Sequence, residues 1–363
     1  MPIVFSRLSY FISDFKYFLL VFFAVFALGV LILFLKRSKL IILLLSTVYC
    51  LLITFLAAEI YYRYIFDQTD NVYQLKTTQR WVQRHVQWNS DGYRDRHFAV
   101  DKNPAEKKIF FLGDSYTFGH GIKDSNDRYA EILTAKLNAT CTSGKFITAY
   151  NLGLPGNQSV THIQILERNL PRYRPDAVVM EYYFDDIDGD KLPNQDPRFE
   201  AQIFSYQQNP LLNFFLSRSY SLEYLYFRLL FLIRPDIDWG AYINFNESLY
   251  RNAQVWQRHV ATLTSIINLT RRYDIPLVVF ILPLSHRLGP DYPLTDIHQN
   301  LTQFFTAQKV PNLDLLPLLN QYPKPVLTVN KFDYHLNEFG QTIVADNLYQ
   351  LVKDMPAFQC RWF

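Results

Sequence analysis

Two long uncharged segments near the N-terminus constrain this 363-residue chain most strongly. Residues 17–35 and 40–58 each contain nineteen residues without Asp, Glu, Lys or Arg. At about 1.5 Å of rise per residue, a helix of that length covers roughly 28 Å, close to the thickness of the hydrocarbon core of a bilayer. Only four residues separate the two segments. The sequence therefore predicts a tight hairpin of two transmembrane helices, with the lipid bilayer as partner and residues 1–66 as a membrane anchor.

A cleaved signal peptide, one long signal anchor and a buried pair of soluble helices are the alternatives to this hairpin. A signal peptide usually has one apolar core of about 7 to 15 residues, whereas this chain has two longer ones in succession. Three of the four residues at 36–39 are basic. The positive-inside rule then places this loop in the cytoplasm. Everything from about Phe66 onward is expected outside the cytoplasm, which means the periplasm in a Gram-negative bacterium.

The composition of the remaining chain excludes several classes of protein. A net charge of +3 without a basic tract does not favour nucleic acid as a partner. The cysteines and the eight histidines lack zinc-ligand spacing, so neither a metal nor another cofactor is expected. Cys50 lies in the second apolar segment, which leaves Cys141 and Cys360 in the soluble part. A disulfide and two separate thiols both remain open, because sequence cannot supply the Cα separation.

Short apolar runs alternate with helical patterns over about 240 residues. The runs lie at residues 109–112, 146–152, 177–183 and 276–282. Helical patterns follow the first two runs, and a long one at about 249–273 precedes the fourth. Such alternation predicts an α/β fold with a mainly parallel, doubly wound sheet. The polar residues 67–106 are interpreted as a lead-in arm to a domain at 107–355.

An aromatic insert at about 191–246 interrupts this alternation. It is rich in Tyr, Phe and Leu and is interpreted as one or two helices over the strand ends. A lid or acyl-chain pocket is the functional interpretation, and additional hydrophobic core is the alternative.

Three turns carry residues with catalytic chemistry. Gly113-Asp114-Ser115 follows the first strand, so a serine hydroxyl is expected at the carboxyl end of a parallel strand, where ligands bind in α/β sheets. A second turn, at 153–156, begins and ends with glycine after the second strand. Near the C-terminus, Asp333 precedes His335 by two residues, in what is interpreted as a loop before the final helix. A histidine held in one tautomer by a carboxylate suits a general base.

His120 lies close to Ser115 in sequence but is not the expected base. His120 lies beyond the turn that carries Ser115, whereas His335 has the carboxylate of Asp333 two residues before it.

Together the three turns resemble the conserved blocks of the SGNH or GDSL hydrolases, over about residues 89–352. The resemblance implies a three-layer α/β/α sandwich of flavodoxin-like type. It also implies Ser115 as nucleophile, His335 as base and Asp333 as its partner. The backbone N–H groups of Ser115 and Gly156 would then be two donors of an oxyanion hole.

Two positions depart from that family pattern. Where the family has an asparagine as a further oxyanion donor, this chain has Asp185, followed by Asp186. An ionised carboxylate cannot donate a hydrogen bond, so either Asp185 is protonated, turned away or replaced by another group, or the enzyme is slow. The Asp-x-His spacing is also shorter than the common Asp-x-x-His, and it resembles polysaccharide O-acetyltransferase relatives.

The expected function is a membrane-anchored serine esterase that cleaves an acyl or acetyl ester, with an acylated glycan among the candidate substrates. One alternative is an O-acyltransferase that modifies an envelope polysaccharide with the help of a membrane acyl-donor protein. The second is a catalytically weakened binding or assembly module.

Overall fold

A computed structural model describes residues 16, 19–32, 34, 39–101, 103–141, 144–193, 195, 203–234 and 239–360. The chain forms two compact units. The first, which we call the anchor unit, draws on residues 1–68, 74–80 and 200–235. The second, the sheet unit, draws on residues 69–73, 81–199 and 236–363.

Apolar helices at the N-terminus define the anchor unit. Helix α1 spans Leu19–Ile32, and helix α2 spans Lys39–Ile60 and continues as a π-helical turn over Tyr61–Ile65. Among the described residues, Lys39–Ile65 is the one helix long and apolar enough, by length and composition, to cross a membrane. Residues 17, 18, 33 and 35 of the first predicted span and 36–38 of its loop lie outside the described residues. The second predicted segment is thus a long apolar helix, whereas the complete hairpin stays a prediction.

The residues of the predicted aromatic insert divide between the two units. Helices α7 (Pro210–Leu216) and α8 (Tyr220–Ile233) belong to the anchor unit, and α9 (Trp239–Arg251) belongs to the sheet unit. Helices α7 and α8 belong to the anchor unit because the turn between them binds Glu59 of α2. The carboxylate of Glu59 accepts one hydrogen bond from the hydroxyl of Ser219 and one from that of Ser221. Residues 194, 196–202 and 235–238 of the insert lie outside the described residues.

A five-stranded parallel sheet forms the centre of the sheet unit. Its strands are β1 (Glu106–Leu112), β2 (Phe146–Asn151), β3 (Ala177–Tyr182), β4 (Leu277–Ile281) and β5 (Asn312–Asp314). Their order is β2-β1-β3-β4-β5, with every neighbouring pair parallel. This is the flavodoxin-like order, and it confirms the predicted fold class. Strand β5 escaped prediction because it has only three residues, all half-buried, and no apolar run.

Helices cover both faces of the sheet. Helices α6 (Ser159–Tyr173) and α10 (Ala253–Arg272) pack against each other, as do α5 (Tyr129–Asn138) and α14 (Glu338–Val352). The long helical pattern predicted at 249–273 is two helices, because Asn252 interrupts it and caps α10 by accepting from two backbone N–H groups. The remaining elements are α3 (Lys76–His85), α4 (Ser115–Phe118), α11 (Thr295–Ala307), α12 (Leu316–Leu319), α13 (Lys324–Leu327), β6 (Thr328–Asn330) and β7 (Asp333–Leu336).

The core lies on both sides of the central strands. All residues of β3 are buried, and so are Ile109 to Leu112 of β1, as expected for parallel strands covered by helices on two faces. A disulfide joins Cys141 to Cys360 across 219 residues, with the two Cα atoms 5.0 Å apart. Of the two arrangements that the sequence left open for these cysteines, the structure contains the bridge.

Candidate active site

The turn after β1 positions Ser115 as the first residue of α4. The side chain of Asp114 caps this short helix by accepting a hydrogen bond from the Tyr116 N–H at 2.8 Å. A side chain at Gly113 would collide with Thr117 and Glu181, so only glycine fits between β1 and the turn. The helix ends at Gly119, which has a left-handed φ of 77°. The serine hydroxyl therefore sits at the carboxyl end of β1, as predicted.

Ser115, His335 and Asp333 form one hydrogen-bonded chain. The Oγ atom of Ser115 lies 2.8 Å from Nε2 of His335, and Nδ1 of His335 lies 2.5 Å from Oδ1 of Asp333. The backbone N–H of His335 also donates to Oδ1 of Asp333 at 3.1 Å. The three residues are thus brought together from positions 220 residues apart in the chain. The distance between Ser115 and His335 is within the range for a nucleophile and its base.

The segment that carries Asp333 and His335 is a strand, and the interpretation as a loop was wrong. Strand β7 pairs in antiparallel register with β6 and is followed at once by α14. In a strand, residues i and i+2 point to the same face. The short Asp-x-His spacing is therefore sufficient for a direct contact between the two side chains.

The Asp333 carboxylate is buried but has donors on both oxygens. Oδ1 accepts from His335, and Oδ2 accepts from the hydroxyl of Thr69. Burial by itself would raise the pKa of Asp333, but the charge of His335 and these hydrogen bonds bring it well below its usual range. Burial would likewise lower the pKa of His335, and the Asp333 carboxylate more than offsets this, so that the pKa is raised above its ordinary value. The acid is ionised, and the imidazole is a strengthened base.

His120 lies beside this chain rather than outside the site. Its Nε2 atom is 3.5 Å from Oδ2 of Asp333 and 3.2 Å from the backbone oxygen of Asp70. Burial lowers the pKa of His120 to about 3, with Asp333 opposing the shift, so this imidazole is neutral. His120, Asp333 and His335 also carry ligand atoms within 4.8 Å of one another, which is the spacing of a metal site. These atoms already hydrogen-bond to each other or to Ser115, Thr69 and Asp70.

Hydrogen bonds join the second glycine-containing turn to the turn that carries Ser115. The Leu154 N–H donates to the Gly113 oxygen at 3.3 Å, and the Asn151 side chain donates to the Thr117 oxygen at 2.7 Å. Gly153 packs so closely on Thr117 that no side chain would fit there. Gly156 follows with a φ of 78°, in the left-handed region that favours glycine.

Asp185 follows β3, the strand adjacent to β1, and is half-buried at the start of a run of acids in which Asp186, Asp188 and Asp190 are buried. Its Oδ2 atom lies 3.2 Å from the Tyr242 hydroxyl of α9, while Oδ1 is buried without a hydrogen-bond partner among the described residues. Burial, together with the nearby Asp114, raises the pKa of Asp185 well above its usual range. Burial raises the pKa of Asp186 in the same direction, although its carboxyl group accepts from the Tyr183 N–H at 2.9 Å. Of the three alternatives for Asp185, a protonated acid agrees with this environment.

Sequence analysis missed two residues that contact the site. Glu181 in β3 accepts hydrogen bonds from the backbone N–H of Thr117, at 2.9 Å, and from its hydroxyl. Burial raises the pKa of Glu181 to about 7, while its hydrogen bond with Asp114 has the opposite effect. A single charged residue inside an apolar strand was the signal for it. Thr69 gave no signal, because nothing in a polar arm indicates contact with Asp333, 264 residues away.

Comparison with solved structures finds lipolytic proteins and esterases. A member of the lipolytic protein G-D-S-L family from Veillonella parvula aligns at 12% identity over 69% of this chain and 100% of its own, with a TM-score of 0.41. The psychrotrophic esterase EstA from Pseudoalteromonas aligns at 14% identity over 68% and 97%, with a TM-score of 0.40. The acetyl xylan esterase AlAXEase aligns at 13% over 68% and 99%, also at 0.40.

No family model and no curated protein matches the sequence.

Proposed function

We propose that this protein is a serine esterase of the SGNH or GDSL type, with Ser115 as nucleophile. The observation that carries the proposal is the continuous chain from the Ser115 hydroxyl through His335 to the buried Asp333, with distances of 2.8 and 2.5 Å. A base of raised pKa in contact with a serine, and itself oriented by an ionised acid, is the arrangement that activates a hydroxyl for acyl transfer.

The reaction proceeds in two halves through an acyl-serine. The Ser115 oxygen forms a bond to the ester carbonyl carbon while its proton moves to Nε2 of His335. The tetrahedral intermediate then collapses, the ester C–O bond breaks, and His335 returns the proton to the leaving alcohol. In the second half, water gives a proton to His335 as it attacks the acyl carbon. The bond between that carbon and the Ser115 oxygen then breaks, His335 returns the proton to Ser115, and the acid is released.

We assign stabilisation of the oxyanion to groups other than His335 and Asp333. The backbone N–H groups of Ser115 and Gly156 are two proposed donors, and the carboxylic acid of Asp185 is the third. If the Tyr242 hydroxyl donates to Oδ2, the proton of Asp185 resides on Oδ1, which lacks a hydrogen-bond partner among the described residues. A neutral acid kept protonated by an apolar site can donate in this way. In this chain an O–H donor takes the place of an amide.

The proposed location is the outer face of a membrane, with Lys39–Ile65 as a membrane-spanning helix and residues 17–35 as a second span. The Cys141–Cys360 disulfide supports an extracytoplasmic sheet unit, because disulfides persist in oxidising compartments. Acyl esters, including acylated glycans, are the proposed substrate class.

Acyl transfer to a sugar hydroxyl is the alternative to hydrolysis, and it shares the first half of the reaction. The two differ only in whether water or a sugar hydroxyl accepts the acyl group, so product analysis with an added oligosaccharide distinguishes them. In the binding-module alternative, neither product would form.

An ester assay on the full-length protein in detergent micelles tests the proposal. We expect hydrolysis of p-nitrophenyl acetate, and a reduction of roughly 10³-fold or more in Ser115→Ala. Ser265→Ala, which removes an exposed serine hydroxyl from α10, is the matched control and should keep full activity. Equal rates in wild type and Ser115→Ala would overturn the proposal.

A further inference from the structure

Helix α8 of the anchor unit exposes an apolar face to its surroundings. Leu225, Leu229 and Leu232 follow at intervals of four and three residues, so they share one face of the helix. All three are exposed, Leu232 to 78%. The opposite face, with Glu223 and Phe227, is buried within the unit. The exposed face of a helix in a soluble protein is normally polar, so an exposed face that is apolar indicates a second apolar environment.

The preceding helix α7 extends the exposed apolar surface. Four of its seven residues are large, apolar and exposed, namely Leu211, Leu212, Phe214 and Phe215. A contiguous apolar surface of this kind is uncommon on soluble monomers and marks contact with a protein or a membrane. The guanidinium of Arg218, just after α7, lies 4.2 Å from the ring centre of Phe214. A cation on an aromatic side chain at the end of such a helix is typical of residues that reach from an apolar layer towards water.

Hydrogen bonds join the turn between α7 and α8 to the C-terminal end of the apolar helix α2. Glu59 of α2 accepts from the Ser219 hydroxyl at 2.7 Å and from the Ser221 N–H at 2.9 Å. Arg63, one turn later, donates to the Arg218 oxygen at 2.7 Å.

Aromatic contacts strengthen the same junction. The ring of Tyr62 stacks on Tyr224 of α8 with 4.4 Å between centroids. Tyrosines at the end of an apolar helix are typical of the membrane–water interface. Helices α7 and α8 are thus attached to α2 at the level where α2 would leave the bilayer.

We propose that α7 and α8 form a second membrane contact, lying in the interfacial layer of the bilayer that α2 crosses. The exposed leucines and phenylalanines would contact lipid acyl chains, and the lipid bilayer is the partner. The continuity of this apolar surface with α2 within one unit favours lipid over a protein partner. This inference depends on membrane insertion of α2 and is independent of the proposed esterase activity.

Site-specific fluorescence on the full-length protein in phosphatidylcholine vesicles tests this contact. With Cys50→Ser as background, the remaining two cysteines are joined in the disulfide, so one introduced cysteine can be labelled with an environment-sensitive dye. The test positions are Leu225→Cys and Leu229→Cys on α8. Val100→Cys is a matched control in the sheet unit, because Val100 is 53% exposed and Leu225 is 52% exposed. Leu51→Cys in α2 is the lipid reference.

Spin-labelled acyl chains should quench the dyes on α8 several-fold more than the dye at position 100, and they should also quench the dye at position 51. Iodide in the water phase should show the reverse order. If iodide quenches the α8 dyes as strongly as the dye at position 100, the exposed face of α8 is in water. That result would overturn the proposal. Protection from both quenchers would also overturn it, because a protein would then cover the face. Since all labelled side chains are exposed, the labels leave the core intact, and the readout does not depend on catalysis.

Discussion

Two sets of carboxyl groups near the candidate site have environments that favour opposite protonation states. Beside the proposed base, Asp333 accepts hydrogen bonds from His335 and Thr69, and its pKa is well below the usual range. On the proposed oxyanion side, burial raises the pKa of Asp185 and that of Asp114 well above the usual range. Burial penalises the ionised form in both groups, so the donors and the charge of His335 make the difference.

The difference would let one residue type serve two purposes in the proposed site. An ionised Asp333 would hold the tautomer of His335 and stabilise its positive charge, whereas a neutral acid can donate a hydrogen bond to a developing oxyanion. Pairs of titratable groups whose surroundings separate their pKa values are the expected pattern for acid and base assignments. The predictions that follow test the two sides separately.

The largest effect is expected for the ionised acid. Asp333→Asn preserves the shape of the side chain but removes its charge and disturbs the tautomer of His335, which should lower kcat about 10⁴-fold. The measurement is kcat for p-nitrophenyl acetate, with circular dichroism to establish that the variant is folded. A variant that keeps kcat within a few-fold of wild type would show that Asp333 does not orient the base.

On the oxyanion side, a matched pair of variants separates loss of the donor from loss of the acid. Asp185→Ala should lower kcat roughly 10²- to 10³-fold, since it removes one oxyanion donor. Asp185→Asn replaces the O–H donor with an amide N–H and should keep most of the activity. If Asp185→Ala is as active as wild type, the side chain has no role in stabilising the oxyanion.

The pH dependence of kcat distinguishes a carboxylic acid at position 185 from an amide at the same position. Activity of the wild type should rise with pH through the raised pKa of His335, because the base must be neutral, and fall again where Asp185 loses its proton. In Asp185→Asn the alkaline fall assigned to Asp185 should disappear, while the acidic limb stays in place. The check is kcat as a function of pH for both proteins, and identical alkaline limbs would contradict a protonated Asp185.

A smaller effect is expected from Thr69, whose hydroxyl donates to Oδ2 of Asp333. Hydrogen bonds to charged groups contribute about 1.5 to 3 kcal/mol, so Thr69→Val should lower kcat roughly tenfold or somewhat more. KM should stay near its wild-type value, because Thr69 positions Asp333 and does not contact the substrate. Thr69→Ser keeps the hydroxyl and should restore kcat, and an equal loss in both variants would point to general packing instead.

Much of the structure around Ser115 could be predicted from the sequence, because short local sequence patterns indicate it. Four apolar residues followed by Gly113 indicate a buried strand and a tight turn whatever surrounds them. The Asp333–His335 contact was predicted from spacing, although the strand β7 was not, since four residues of mixed polarity carry no strand pattern.

The contacts of Thr69, Glu181 and Tyr242 could not be predicted, because each depends on the way distant elements pack. Glu181 reaches Thr117 only because β3 lies beside β1 in parallel register. Tyr242 reaches Asp185 from a helix that was expected to be part of a single insert. The protonation state of Asp185 follows from these contacts, so the sequence left it open.

Labelling of the full-length protein with a fluorophosphonate, followed by peptide mass mapping, tests the central claim most directly. The reagent forms a covalent bond only with an activated serine. We predict one adduct, on Ser115, which is absent in Ser115→Ala and forms much more slowly in His335→Gln. A wild-type protein that stays unlabelled, or that is labelled at another serine with Ser115 unmodified, would contradict the assignment of Ser115 as a nucleophile activated by His335.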